Sequence, residues 1–186
     1  MLYARSRAMP ASFAALVVSM AALWFLARDR WSQVPVTLTL TVAVAVLAIG
    51  LSGQDADLDR SAAIRWLPRR GLHLLLIGGL GVGAVLLPRL WEEQRVPVEI
   101  IVRNTAGLAG LAGIAAVLFG GAFGWTLPLV ALVVAFVVKV ASSDTDTVGL
   151  VVTWLFQPAD VAAATWAAVV LAVAGFGTYA AFGARR

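Results

Sequence analysis

The chain has 186 residues, 61% of them hydrophobic and 13% charged, with a mean hydropathy of +0.92. A water-soluble domain is about half apolar and a quarter charged, so this chain lacks the polar surface to cover a globule, and lipid is its better solvent. Its net charge of +4 comes from basic residues set between apolar runs, without the interleaved aromatics of a nucleic-acid surface, and with no cysteine it has no disulfide or thiolate metal site.

A bilayer core of about 30 Å takes roughly 20 mostly apolar helical residues. Six segments qualify, some of them short, and they predict an all-α integral membrane protein that forms one transmembrane domain over residues 1–186. The first span is expected over 10–27, after Arg5 and Arg7 and with Pro10 in its first turn. Its aromatic and charged end, ALWFLARDRW, lacks the small residues of a cleavage site, so the span is read as retained. The second covers 35–52, PVTLTLTVAVAVLAIGLS. Its start alternates like a strand, but an open strand edge has no partner in lipid, so a helix is expected.

Between spans two and three lies SGQDADLDRSAAIRWLPRRG, with Asp55, Asp57 and Asp59 followed by Arg60, Arg65, Arg69 and Arg70. A short helix is expected over 58–67, capped by Asp57 and stopped by Pro68, with Leu58, Ala62 and Trp66 on one face. His73, the chain's single histidine, sits at the start of span three, without an acid at matching spacing, and reads as structural.

The third span is expected over 71–88 and the fourth over 104–121. Gly107, Gly110 and Gly113 recur every three residues in the fourth and form a smooth ridge for close packing against a neighbouring span or a second subunit. GGLGVG at 78–83 lacks the Lys-Ser/Thr of a phosphate loop and reads the same way. A tight Gly/Phe turn leads to the fifth span, 123–140, as an antiparallel hairpin.

TVGLVVTWLFQ at 147–157 is apolar but too short to cross. It reads as a re-entrant or interfacial segment, carrying Trp154 and Gln157 and ended by Pro158 before the sixth span at 162–182. All seven tryptophans fall near expected span ends, as an interfacial belt would place them.

With six spans both termini share one side. Placing them in the cytoplasm puts eight basic residues inside (Arg5, Arg7, Arg60, Arg65, Arg69, Arg70, Arg185 and Arg186) against six outside. The positive-inside rule therefore favours N-in, C-in. The same arrangement sets Asp55, Asp57 and Asp59 on the opposite face from Asp144 and Asp146. The two clusters then share no metal, and no cofactor is expected. The span interiors read as almost free of ionisable groups, offering only hydroxyls such as Thr37, Thr39 and Thr41. That argues against an ion-driven transporter and against a hydrolytic intramembrane enzyme.

Six spans, a basic loop with a short helix after span two, and a re-entrant segment before span six resemble the membrane subunit of type-2 ATP-binding-cassette exporters. DLDR…LPRRGLHLLL, VRNTAGLAGLAG and WLFQPADVAAATWAAVV also look like small actinobacterial membrane proteins of this type. The resemblance is one of organisation and covers most of the chain. It departs in length, this chain being shorter than most such permeases, and in a brief N-terminal segment, MLYARSRAMP. It implies a bacterial cytoplasmic-membrane permease without enzymatic activity of its own, a homodimer or a pair with a similar permease, and a separate ATPase subunit. The coupling helix would then carry Leu58, Arg60, Arg65, Trp66, Arg69 and Arg70. The cargo would be hydrophobic or amphipathic. The alternative is a non-transporting scaffold or accessory subunit of a larger membrane complex.

Overall fold

The computed structural model describes residues 17, 21, 25, 32–51, 66–86, 96–141 and 146–185. They contain no strand: α1 is Gln33–Ala48, α2 Trp66–Leu86, α3 Val98–Phe119, α4 Thr126–Ala141, α5 Thr147–Val152 and α6 Ala162–Phe182, with single 3₁₀ turns at Ile49–Leu51, Gly121–Phe123 and Trp154–Phe156. Three helical stretches, Val98–Phe119, Gly121–Ala141 and Ala162–Phe182, are long and apolar enough to cross a membrane, while α1 and the apolar part of α2 are shorter. This is the build of a helical membrane protein.

The strand-like TLTLT of span two lies inside α1. Two of its three hydroxyls turn back onto the helix: Thr39 Oγ1 donates to Pro35 O and Thr41 Oγ1 to Thr37 O, each at 2.8 Å. Such back-bonding satisfies the polar atom locally, so the threonines can be buried without partners elsewhere. Val36, Leu40, Val44 and Ala48 form the apolar stripe that α1 buries.

Pro68 does not stop a helix. α2 begins at Trp66 and runs through Pro68 to Leu86. Proline in a first turn lacks only an amide that has no partner there, and its fixed φ suits a helix start. The remainder of the expected coupling helix, with Leu58, Arg60, Arg65 and the aspartates Asp55, Asp57 and Asp59, lies outside the described residues, as does most of the first span.

α3 is the hub. In its apolar window 78% of the residues are buried, against 28% for the Gly121–Ala141 stretch and 17% for α6. It starts six residues earlier than the sequence pattern indicated, which draws Arg103 and Asn104 into its second turn. It ends at Gly120, whose φ of 100° places it where other residues are strained, and whose amide caps Ala116 O.

Neighbouring positions fix the directions of the five long helices. Going down α3, Gly107, Gly110 and Gly113 meet Ala168, Leu171 and Gly175 of α6, so these two helices run parallel. In α2, Gly81 lies by Thr105, Leu74 by Gly113 and Arg70 by Gly183, so α2 runs the opposite way. α1 starts beside Leu155 and Gln157 and ends beside Gly124, with α3. α4 returns from the Gly121–Phe123 turn until Lys139 reaches Phe156, against α3. The five helices therefore alternate in direction along the chain. The α5 segment does not cross; it folds back at the end where α3 and α6 begin.

Candidate functional site

The most polar place in the described interior is built around the 3₁₀ turn Trp154–Phe156. A 3₁₀ turn followed by extended backbone at Gln157 leaves carbonyls without helical partners. In an apolar surrounding each would be costly. Here five consecutive carbonyls are satisfied by side chains from three other helices.

Arg103 supplies most of them. Its Nη2 donates to Trp154 O at 2.9 Å and to Gln157 O at 2.7 Å, and its Nη1 to Pro158 O at 2.9 Å. Its Nε donates to Asn104 Oδ1 at 3.1 Å. Asn104 Nδ2 in turn donates to Leu155 O at 2.7 Å, and Thr37 Oγ1 adds a second donor to that carbonyl at 3.3 Å. Gln33 Nε2 reaches Gln157 O at 3.1 Å, and Lys139 Nζ reaches Phe156 O at 3.4 Å while standing 5.7 Å from the Phe156 ring centroid. Arg103 is 8% exposed and Asn104 fully buried. A planar guanidinium suits this site because its fork presents several fixed N–H groups at once.

The sequence pattern starts span four at Asn104, which leaves Arg103 among the six outer basic residues and the span interiors almost free of charge; its burial within α3 corrects both. The signal that would have found it is the VRNT step itself: an arginine and an asparagine adjacent at the start of a glycine-rich span.

Trp154 corrects another expectation. Instead of anchoring at an interface it is 4% exposed and lies against Gly107, where a Cβ would come within 2.5 Å of its ring. Gln157 stabilises the turn from outside, its Nε2 donating to Thr153 Oγ1 at 2.6 Å. Pro158, exposed, offers its carbonyl to Arg103. Asp146 caps α5, accepting the Gly149 amide at 2.8 Å. Asp144 lies outside the described residues, and these hold no group of three metal-ligating side chains.

Gly110 and Gly113 extend the seam below Trp154. A Cβ on Gly110 would overlap Leu171 O, and one on Gly113 would lie 2.9 Å from Gly175 O. Here α3 and α6 touch backbone to backbone, and the glycine ridge is taken up within the chain. At the opposite end Arg70 reaches the terminus of α6, with its guanidinium 2.6 Å from where a Gly183 Cβ would stand. The Arg185 amide donates to Ala116 O at 2.9 Å. The side chains of Trp66 and Arg69 are not among those described.

Beside the seam α4 and α6 diverge and leave a groove of about 710 Å³. Leu127 and Val130 of α4 and Val170 of α6 form its walls, Leu111 of α3 its floor, and Thr147 and Val151 of α5 its roof. Scans against protein-family models, curated proteins and solved structures found no match to this chain.

Proposed function

We propose that the chain is the permease subunit of an ATP-driven exporter in a bacterial cytoplasmic membrane, with six spans, both termini inside, and ATP hydrolysis on a separate ATPase subunit. The observation that carries this reading is the pinned, non-crossing α5 segment between the last two of five helices that alternate in direction. A segment of that kind before the final span is what the resemblance to type-2 exporters implies. The protein would do no bond chemistry. It would work by switching between two packings under the push of a partner on its cytoplasmic face, and it would work as a homodimer or with a similar permease. A hydrophobic or amphipathic cargo suits the apolar groove between α4 and α6.

The loop with Leu58, Arg60 and Arg65, continuing into Trp66, Arg69 and Arg70, would receive the ATPase. Purification from native membranes should bring an ATPase with the chain, and Arg60→Glu with Arg65→Glu should uncouple ATP hydrolysis from export while the spans stay folded. An isolated chain without an ATPase, together with wild-type behaviour of those variants, sinks the proposal. The exposed outer faces of α4 and α6, with Val137 and Val173 on them, favour one second reading, an accessory subunit held against other membrane proteins. Copurification with membrane proteins but no ATPase would select it.

A further inference from the structure

Charge is divided between the two ends of the helices. The carboxylates among the described residues, Glu99, Asp146 and Asp160, stand where α3 and α6 begin, together with Lys139 and the buried Arg103. Where α2 begins and α3 and α6 end, the described charged side chains are Arg70 and Arg185, with no described carboxylate beside them.

Close packing holds Arg70 in place. Its Cζ, Nη1 and Nε would lie 2.6, 2.9 and 3.0 Å from a Cβ on Gly183, so the guanidinium lies face-on to the turn that ends α6. The N–H groups of a guanidinium point outward in its own plane, and those of Arg70 have no hydrogen-bond or ion-pair partner among the described residues. Two positions after that turn, Arg185 is exposed. Its amide is held by Ala116 O at 2.9 Å and its Nη1 donates to Leu118 O at 3.4 Å, which leaves most of its donors unspent.

The surroundings select the partner. Leu118 and Phe119 at the end of α3 and Phe182 at the end of α6 are exposed beside these cations. Both helices are long and apolar enough to cross a membrane. Open apolar side chains next to guanidinium groups suit the boundary between hydrocarbon and head groups. A soluble anion would leave Phe119 and Phe182 uncovered. A phospholipid sets its phosphate on the paired N–H groups of arginine and its acyl chains along the rings.

We infer that this end of the molecule binds an anionic phospholipid, with Arg70 and Arg185 on its phosphate. Two cations without a described acid favour a lipid of net negative charge over a zwitterionic one. The inference rests on α3 and α6 lying in a bilayer and is independent of any ATPase.

The test is native mass spectrometry of the detergent-purified full chain, delipidated and then offered equimolar phosphatidylglycerol and phosphatidylcholine with identical acyl chains. One basic residue near an anionic membrane surface is worth about fivefold in binding, so phosphatidylglycerol should be retained roughly 25-fold over phosphatidylcholine. Arg70→Gln and Arg185→Gln should each lower that ratio about fivefold, with helicity unchanged by circular dichroism. Arg70→Lys keeps the charge and should stay within about twofold of wild type by the same reasoning; a fall equal to that of Arg70→Gln marks a packing role and overturns the proposal. Lys139→Gln removes one charge at the opposite end and should leave the ratio as in wild type. Equal retention of the two lipids by wild type overturns the proposal, as when the chain's own carboxylates take the arginines. A ratio unmoved by either glutamine variant, or lowered as much by Lys139→Gln, also overturns it. So does displacement of phosphatidylglycerol by inorganic phosphate, which marks a site for a free anion. If Arg70→Gln does not fold, Arg185→Gln on the exposed tail reads the same ratio. The Arg60 and Arg65 variants above leave both arginines in place, so either idea can fail alone.

Discussion

Replacing Arg103 with leucine keeps much of the side-chain volume and removes the guanidinium's donors from the carbonyl cluster. Three bonds to Trp154 O, Gln157 O and Pro158 O disappear, together with the one from Nε to Asn104 Oδ1. The carbonyls are not wholly abandoned: Gln157 O keeps the Gln33 amide at 3.1 Å, and Trp154 O and Pro158 O keep backbone amides at 3.4 Å. Hydrogen bonds between membrane helices are worth about 0.6 kcal/mol on average and up to about 1.7. Three charge-assisted bonds to carbonyls lie toward the upper end, while relief of a buried guanidinium with no carboxylate partner among the described residues opposes the loss. The net cost of local opening is therefore about 2–3 kcal/mol. At about 1.4 kcal/mol per factor of ten, that is roughly 30–150-fold faster amide exchange.

Hydrogen exchange over 147–158 reads this directly, because Thr153 donates to Gly149 O at 2.9 Å and Phe156 to Thr153 O at 2.8 Å in the folded segment. The peptide covering the Gly110–Gly113 seam should exchange as in wild type. Arg103→Lys should fall between, since one ammonium cannot match the spread of the fork. Unchanged exchange over 147–158 refutes the reasoning, and so does an equal acceleration across the seam.

Gly110→Ala forces a Cβ into Leu171 O, so thermal unfolding in detergent should fall by an amount set by about 2–4 kcal/mol, within the range for overpacked or strained cores. Gly79→Ala meets nothing within 4 Å and should leave stability the same or raise it by up to about 1 kcal/mol. Asp146→Ala removes the cap of α5 and should cost about 1 kcal/mol, seen as faster exchange at Gly149 and Leu150 only. Because the chain has no cysteine, single introduced cysteines report topology: Val148→Cys should react with a membrane-impermeant maleimide in intact cells, and Phe123→Cys only after permeabilisation. The reverse pattern overturns N-in, C-in.

The span expected over 162–182 was legible in the sequence, because Pro158 and Gly183 bracket an unbroken apolar run whose helix is Ala162–Phe182. The start of span four was not, since Arg103 and Asn104 look like loop residues until their partners are known, and those partners are carbonyls more than fifty positions away. Backbone acceptors leave no trace in side-chain composition. Trp154 misled for a related reason. A tryptophan near a span end is usually an anchor, and only the absence of a side chain at Gly107, on another helix, makes room for it. Pro68 fits a helix start as well as a helix stop, because the same missing amide suits either boundary. The glycine spacing in span four identified a face for close approach, but which helix lies on that face depends on the return path of the chain.

The seam between α3 and α6 constrains how the molecule can rearrange. Side-chain interfaces slide by exchanging rotamers, but main chain pressed on main chain at Gly110, Leu171 and Gly175 has no rotamers to exchange. The two helices form a single shaft, with the Trp154–Phe156 turn wedged against it near one end and the tail bonded to it at the other. Any swing of parts must then be taken up around the shaft, where α4 meets its neighbours through flexible side chains and stands away from α6.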